Sequence, residues 1–161
     1  MEIISRGEQV NLVADRLNIS KKDVNTIIFN YTTYLQEKIS IGETVKFLNI
    51  CYFKNTDEPT DFKFKRETLA YIATEIANKT DMGRVTVLRV LTTLEELIIQ
   101  DIVDGKGYAI KGLVRIRYLE DSNGVKKVRI KKSVKYLGKP ICVVAMNSFK
   151  RKVEEYGGEN A

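Results

Sequence analysis

The sequence predicts an α+β protein, and three observations carry that reading. Apolar residues recur at helical spacing in four separate stretches. Each pair of helical stretches is followed by short β-branched and aromatic runs that read as strands. The whole pattern then repeats at a constant offset of 63 residues within a chain of 161.

The first helix is read over residues 8–17, where Val10, Val13 and Leu17 share a face. Ile19 and Ser20 follow. Ser20 is a suitable N-cap, and Asp23 stands near the positive end of the next helix. Val24, Ile27, Ile28, Tyr31, Leu35 and Ile39 mark one face of a helix over about 21–39, which Gly42 ends. The run 44-TVKFLNICYFKN-55 reads as two short strands. An acidic turn, 55-NTDEPTD-61, and a brief strand, 62-FKFK-65, close this half.

The pattern then restarts. A helix is read over 66–78 with Leu69, Ile72, Ala73 and Ile76 on one face. Met82 and Gly83 stand where Ile19 and Ser20 stood. A long helix over about 84–102 carries Val87, Leu91, Leu94, Ile98 and Ile102, and Asp104-Gly105 ends it. Strand-like 108-YAIKGLVRIRY-118 leads into a hairpin. An apolar strand over 140–146 and a short helix over 148–156 complete the chain. The halves are thus 1–65 and 66–161, expected to pack as one compact body.

Charge is unevenly spread. The net charge is +6. Residues 111–139 hold ten Lys/Arg against two Asp/Glu, and the rest of the chain holds 17 against 19. A local basic patch points to a polyanionic partner. The hairpin of this patch can be set in register. A three-residue loop, Ser122-Asn123-Gly124, pairs Tyr118 with Val128, Ile116 with Ile130 and Glu120 with Lys126. It separates an apolar face (Val114, Ile116, Tyr118, Val128, Ile130) from a basic one (Arg115, Arg117, Lys127, Arg129, Lys131), and such separation fixes register. Gly124 then takes the left-handed position of a G1 bulge. Arg117 faces Arg129 and Arg115 faces Lys131, which costs up to about 1 kcal/mol per pair. A row of phosphates reverses that sign. The plain alternative is a solvated edge strand that blocks aggregation with Lys. Three arginines with no acid on the face favour phosphate contact. The candidate DNA-binding residues are Arg115, Arg117, Lys126, Lys127, Arg129, Lys131, Lys132, Lys135 and Lys139.

The chain has no His, which removes Ser-His and Cys-His catalysis and most zinc sites. Cys51 and Cys142 read as buried thiols of a cytosolic protein rather than a disulfide. No cofactor, metal or catalytic set is expected. The glycines of 105-GKGYAIKG-112 follow a helix and precede a strand, the reverse of a phosphate-binding loop. Glu95, Glu96, Asp101, Asp104, Glu154 and Glu155 read as solvated. No run of about 18 apolar residues suggests a membrane span, and 1-MEIISRGEQVNLV-13 has no signal-peptide core.

The order helix, turn, long helix, Gly, paired strands, basic hairpin, strand, short helix resembles the bacterial histone-like HU/IHF family. The stretch 76-IANKTDMGRVTVLRVLTTLEELIIQDIVDGKGYAIKGLVRIRY-118 resembles it most, with Met82 before the second helix, Gly83 at its cap and Gly112 in the strand turn. Residues 13–24 and 47–54 resemble it similarly. The resemblance implies a fused pseudo-dimer that binds double-stranded DNA with a β-arm over 113–135. It implies a cytoplasmic, nucleoid-associated protein, in a bacterium or in a phage-infected cell or virion. A homodimer or a HU-like partner would restore a second arm. The first half has lost its arm. The tip, Asp121-Ser122-Asn123-Gly124, lacks the family's proline wedge, so milder bending is expected. Two other readings stand beside this one. Residues 13–28 also fit a helix-turn-helix, which makes the chain a tandem winged-helix regulator. The scaffold would also serve protein–protein contact.

Overall fold

Three of the described helices begin at a short polar side chain. A computed structural model describes residues 5–56, 68–110, 113–132 and 141–159. Ser5 Oγ accepts from the Glu8 N–H and opens α1 (Arg6–Leu17). Ser20 Oγ accepts from the Asp23 N–H and opens α2 (Lys21–Ser40). Thr68 Oγ1 accepts from the Tyr71 N–H and opens α3 (Leu69–Thr80), so this helix starts later than the periodicity alone predicts. Gly83 caps α4 (Arg84–Val103) without a side chain. Such caps satisfy the orphan donors of the first turn.

The strands are β1 (Val45–Phe47), β2 (Cys51–Asn55), β3 (Tyr108–Ile110), β4 (Val114–Glu120), β5 (Lys126–Lys132) and β6 (Ile141–Ala145), followed by α5 (Asn147–Glu159). The architecture is α+β: five helices and two antiparallel three-stranded sheets among the described residues. The bounds of α1, α2 and β1 recur 63 residues on in α3, α4 and β3. So do the pairings: Val45 with Phe53 becomes Tyr108 with Ile116. The left-handed residues recur too, Asn18 with Asp81 and Gly42 with Gly105.

One sheet has the order β3-β4-β5 and the other β1-β2-β6. The second order means that β6, from the end of the chain, supplies the third strand beside β2. Its register is that of β5 on β4. Ala145 sits opposite Cys51 as Lys132 sits opposite Val114, and Val143 opposite Phe53 as Ile130 sits opposite Ile116. The apolar strand predicted over 140–146 thus completes the first half's sheet. The brief strand predicted over 62–65 and most of the acidic turn lie outside the described residues.

Buried side chains of both halves form one continuous core. Val24, Ile27 and Leu35 of α2 meet Leu91, Leu94 and Ile98 of α4 in it, all essentially inaccessible to water. Each contributes about 1.5–3 kcal/mol of burial. Phe47 stacks on Tyr108 at 5.9 Å and joins the two sheets. Phe149 and Val153 of α5 are buried, and α5 packs on α4. The β1–β2 turn puts fully buried Leu48 at φ 49, a strained value for a side chain of this size. Tyr31 holds it there. Its hydroxyl accepts from the Leu48 N–H at 2.7 Å and donates to the Lys46 carbonyl at 3.0 Å.

Candidate nucleic-acid interface

The interface is built on the β4–β5 hairpin. Asp121 makes its turn. The Gly124 N–H donates to the Asp121 carbonyl, and the Asp121 N–H donates to the Val125 carbonyl. One Asp121 carboxylate oxygen accepts from the Asn123 and Val125 N–H groups at 2.8 and 3.0 Å. Gly124 has φ 77, the left-handed conformation that a G1 bulge requires. Those two amides, reinforced by Lys127 and Arg129, hold the Asp121 carboxyl below its ordinary range.

The turn sets the register, and the register is the one that separates the faces. Tyr118 pairs with Val128, Arg117 with Arg129, Ile116 with Ile130 and Arg115 with Lys131. Ile116 is fully buried, and Tyr118, Val128 and Ile130 are half-buried against the core. The lower part of the hairpin is therefore held to the body by its apolar face. The opposite face carries Arg115, Arg117, Lys127, Arg129 and Lys131. All are exposed except Arg117, which is half-buried. Among the described residues none of the five is in an ion pair. The Arg117 Nε is covered and has no hydrogen-bond partner among them.

Two predicted residues belong elsewhere. Lys126 and Lys132 alternate with the basic face and so project with Val128 and Ile130. Lys126 Nζ lies over the Tyr118 ring at 5.9 Å, and Lys132 Nζ donates to the Ile141 carbonyl at 2.9 Å. Period-two geometry decides this, and charge density along the sequence conceals it. Lys135 and Lys139 lie outside the described residues.

Two other expectations are corrected, Glu95 as solvated and Cys142 as buried. Glu95 is buried, and its Oε1 accepts from the Asn49 N–H at 2.7 Å. Its position between Leu91 and Ile98 on the apolar stripe was the available signal. Glu96 and Asp104 are exposed, as expected; Glu96 meets Arg16 at 3.7 Å, and Asp104 accepts from Gln100 Nε2 at 3.0 Å. Cys142 is half-buried on the outer side of β6, whereas Cys51 is in the core. Both are free thiols, and burial pushes the Cys51 thiol up to about 12. The residues sit on opposite faces of the β2–β6 ladder and cannot meet.

Among the described residues no group of three or more His, Cys, Asp or Glu is placed to hold a metal, and no helix is long and apolar enough to cross a membrane. Compared with family models, with curated proteins and with solved structures, the chain finds no match.

Proposed function

We propose that this protein binds duplex DNA through its phosphates, along the outer face of the β4–β5 hairpin, with little sequence preference. One observation carries the reading. Five cations and no carboxylate line one face of a ribbon whose ladder sets cation against cation twice. Like charges placed directly opposite destabilise a hairpin by up to about 1 kcal/mol per pair. A surface serving only for solubility is better served by mixed charge. A phosphate backbone converts the same arrangement into attraction.

The likeness to HU/IHF proteins supports an architectural role in a nucleoid or a phage genome, with one hairpin in place of two. The recurrence of α1, α2 and β1 at 63 residues supports a fused pseudo-dimer. A second copy would supply a second hairpin. The winged-helix reading gains little support from α2. Its buried residues run from Val24 to Ile39, the pattern of a core helix rather than of one laid in a groove.

The test is duplex binding across a salt series. Five phosphate contacts give log K against log salt a slope of about −4.5. The variant R117E/R129E/K131E is expected to lose duplex binding while its melting temperature stays equal or rises. Unchanged affinity in that variant overturns the reading.

A further inference from the structure

A second basic surface lies on α5. Lys150, Arg151 and Lys152 are all exposed in the first turns, while Phe149 and Val153 are buried against the body. Glu154 and Glu155 follow, also exposed. A helix favours acids near its N-terminus and cations near its C-terminus. Here the order is inverted. Neither the first turn nor the last carries the favourable charge. The carboxylates of Glu154 and Glu155 stand four residues after Lys150 and Arg151, within reach on a helix. Yet among the described residues none of these five side chains is in an ion pair. Three cations are therefore presented to solvent with no carboxylate partner among the described residues.

The chain path separates this surface from the hairpin. Ile141, at the start of β6, lies beside the hairpin's base, where Lys132 Nζ reaches its carbonyl. α5 starts from the other end of β6, where the Met146 N–H donates to the Ile50 carbonyl. A five-residue strand spans about 17 Å. That is about five phosphates along one DNA strand.

We infer that Lys150, Arg151 and Lys152 form a second phosphate-contacting surface for the same duplex, on the side of the molecule that has no basic hairpin. This rests on the duplex-binding reading and extends it. With eight cations engaged rather than five, the salt slope becomes about −7.

The experiment compares four full-length proteins on one blunt duplex across a salt series: wild type, K150Q/R151Q/K152Q, the hairpin variant R117E/R129E/K131E, and a control, K21Q/K22Q/R89Q, that removes three exposed cations elsewhere. The α5 variant is expected to weaken binding and flatten the slope by about 2.7, with an unchanged melting temperature because the three side chains are exposed and unpaired among the described residues. The control is expected to keep the wild-type slope. A wild-type slope in the α5 variant, with hairpin-dependent binding intact, overturns this inference alone. So does equal flattening in the control, which reduces the effect to net charge. No duplex binding by wild type overturns the underlying reading as well.

Discussion

At four matching positions on the faces turned away from the core, the two sheets differ sharply. The β3-β4-β5 sheet has Arg115, Arg117, Arg129 and Lys131. The β1-β2-β6 sheet has Tyr52, Lys54, Cys142 and Val144 in the same register. The ladders superpose residue for residue, yet three of four cations are absent from the second. The inner faces behave differently. Val114 and Ile116 correspond to Cys51 and Phe53, and all four are fully buried. Packing therefore constrains the inner face to apolar residues, and the outer face is free to take up function. The chain concentrates its cations on one sheet.

The largest expected effect comes from removing what the second sheet borrows. A chain ending at Pro140 lacks β6 and α5. It leaves β2 with an open edge and uncovers the sites of Ile141, Phe149 and Val153, all buried. Losing three such side chains costs more than about 5 kcal/mol, comparable to the whole stability of a small domain. Loss of a cooperative thermal transition, followed by far-UV circular dichroism, is the expected result.

Transferring the charge tests the functional half of the comparison. The variant Y52R/C142R/V144K gives the second sheet the cations of the first. It is expected to bind duplex more tightly and to steepen the salt slope by about 2.7, measured by fluorescence anisotropy.

Two matched helix positions sharpen the comparison at smaller scale. Glu95 on α4 reaches across to Asn49, while Thr32, its counterpart on α2, donates only to the Ile28 carbonyl within its own helix. Glu95→Ala orphans the Asn49 N–H and is expected to cost about 1–3 kcal/mol in denaturant unfolding. Thr32→Ala is expected to stay within about 0.5 kcal/mol.

The smallest expected effect lies in the β4–β5 turn. The Asp121 carboxyl titrates below its ordinary value of 3.8, held there by the Val125 and Asn123 amides. A depressed pKa means that its stabilising contribution is complete above that value and lost as pH falls through the lower, folded one. The protection of the Asn123 and Val125 amides, taken against the intrinsic exchange rate at each pH, is expected to fall on acidification below pH 3.8, and D121N is expected to remove most of that dependence.

Much of this fold was legible in the sequence, because local rules decide much of it. Helical periodicity placed α2 and α4 to within a residue or so, and Ser20 announced its own cap. Hydrophobic alternation with one glycine sufficed to set the hairpin register. The candidate site was legible as a charge run. Lys126 and Lys132 share the run and not the face. The exposed cations of α5 carried no signal in the sequence, because charges on a short helix are ordinary until their partners are known to be absent.

The sequence by itself determined the element order, the 63-residue recurrence and the two-faced hairpin. All three follow from contacts between residues near in the chain or from a pattern that repeats. Tertiary structure alone decided that β6 joins β2, that Glu95 is buried against Asn49, and that α5 holds its cations outward on α4. Those depend on which surfaces meet across long stretches of chain. No local propensity encodes a pairing between Cys51 and Ala145, because only the assembled core brings them to one ladder.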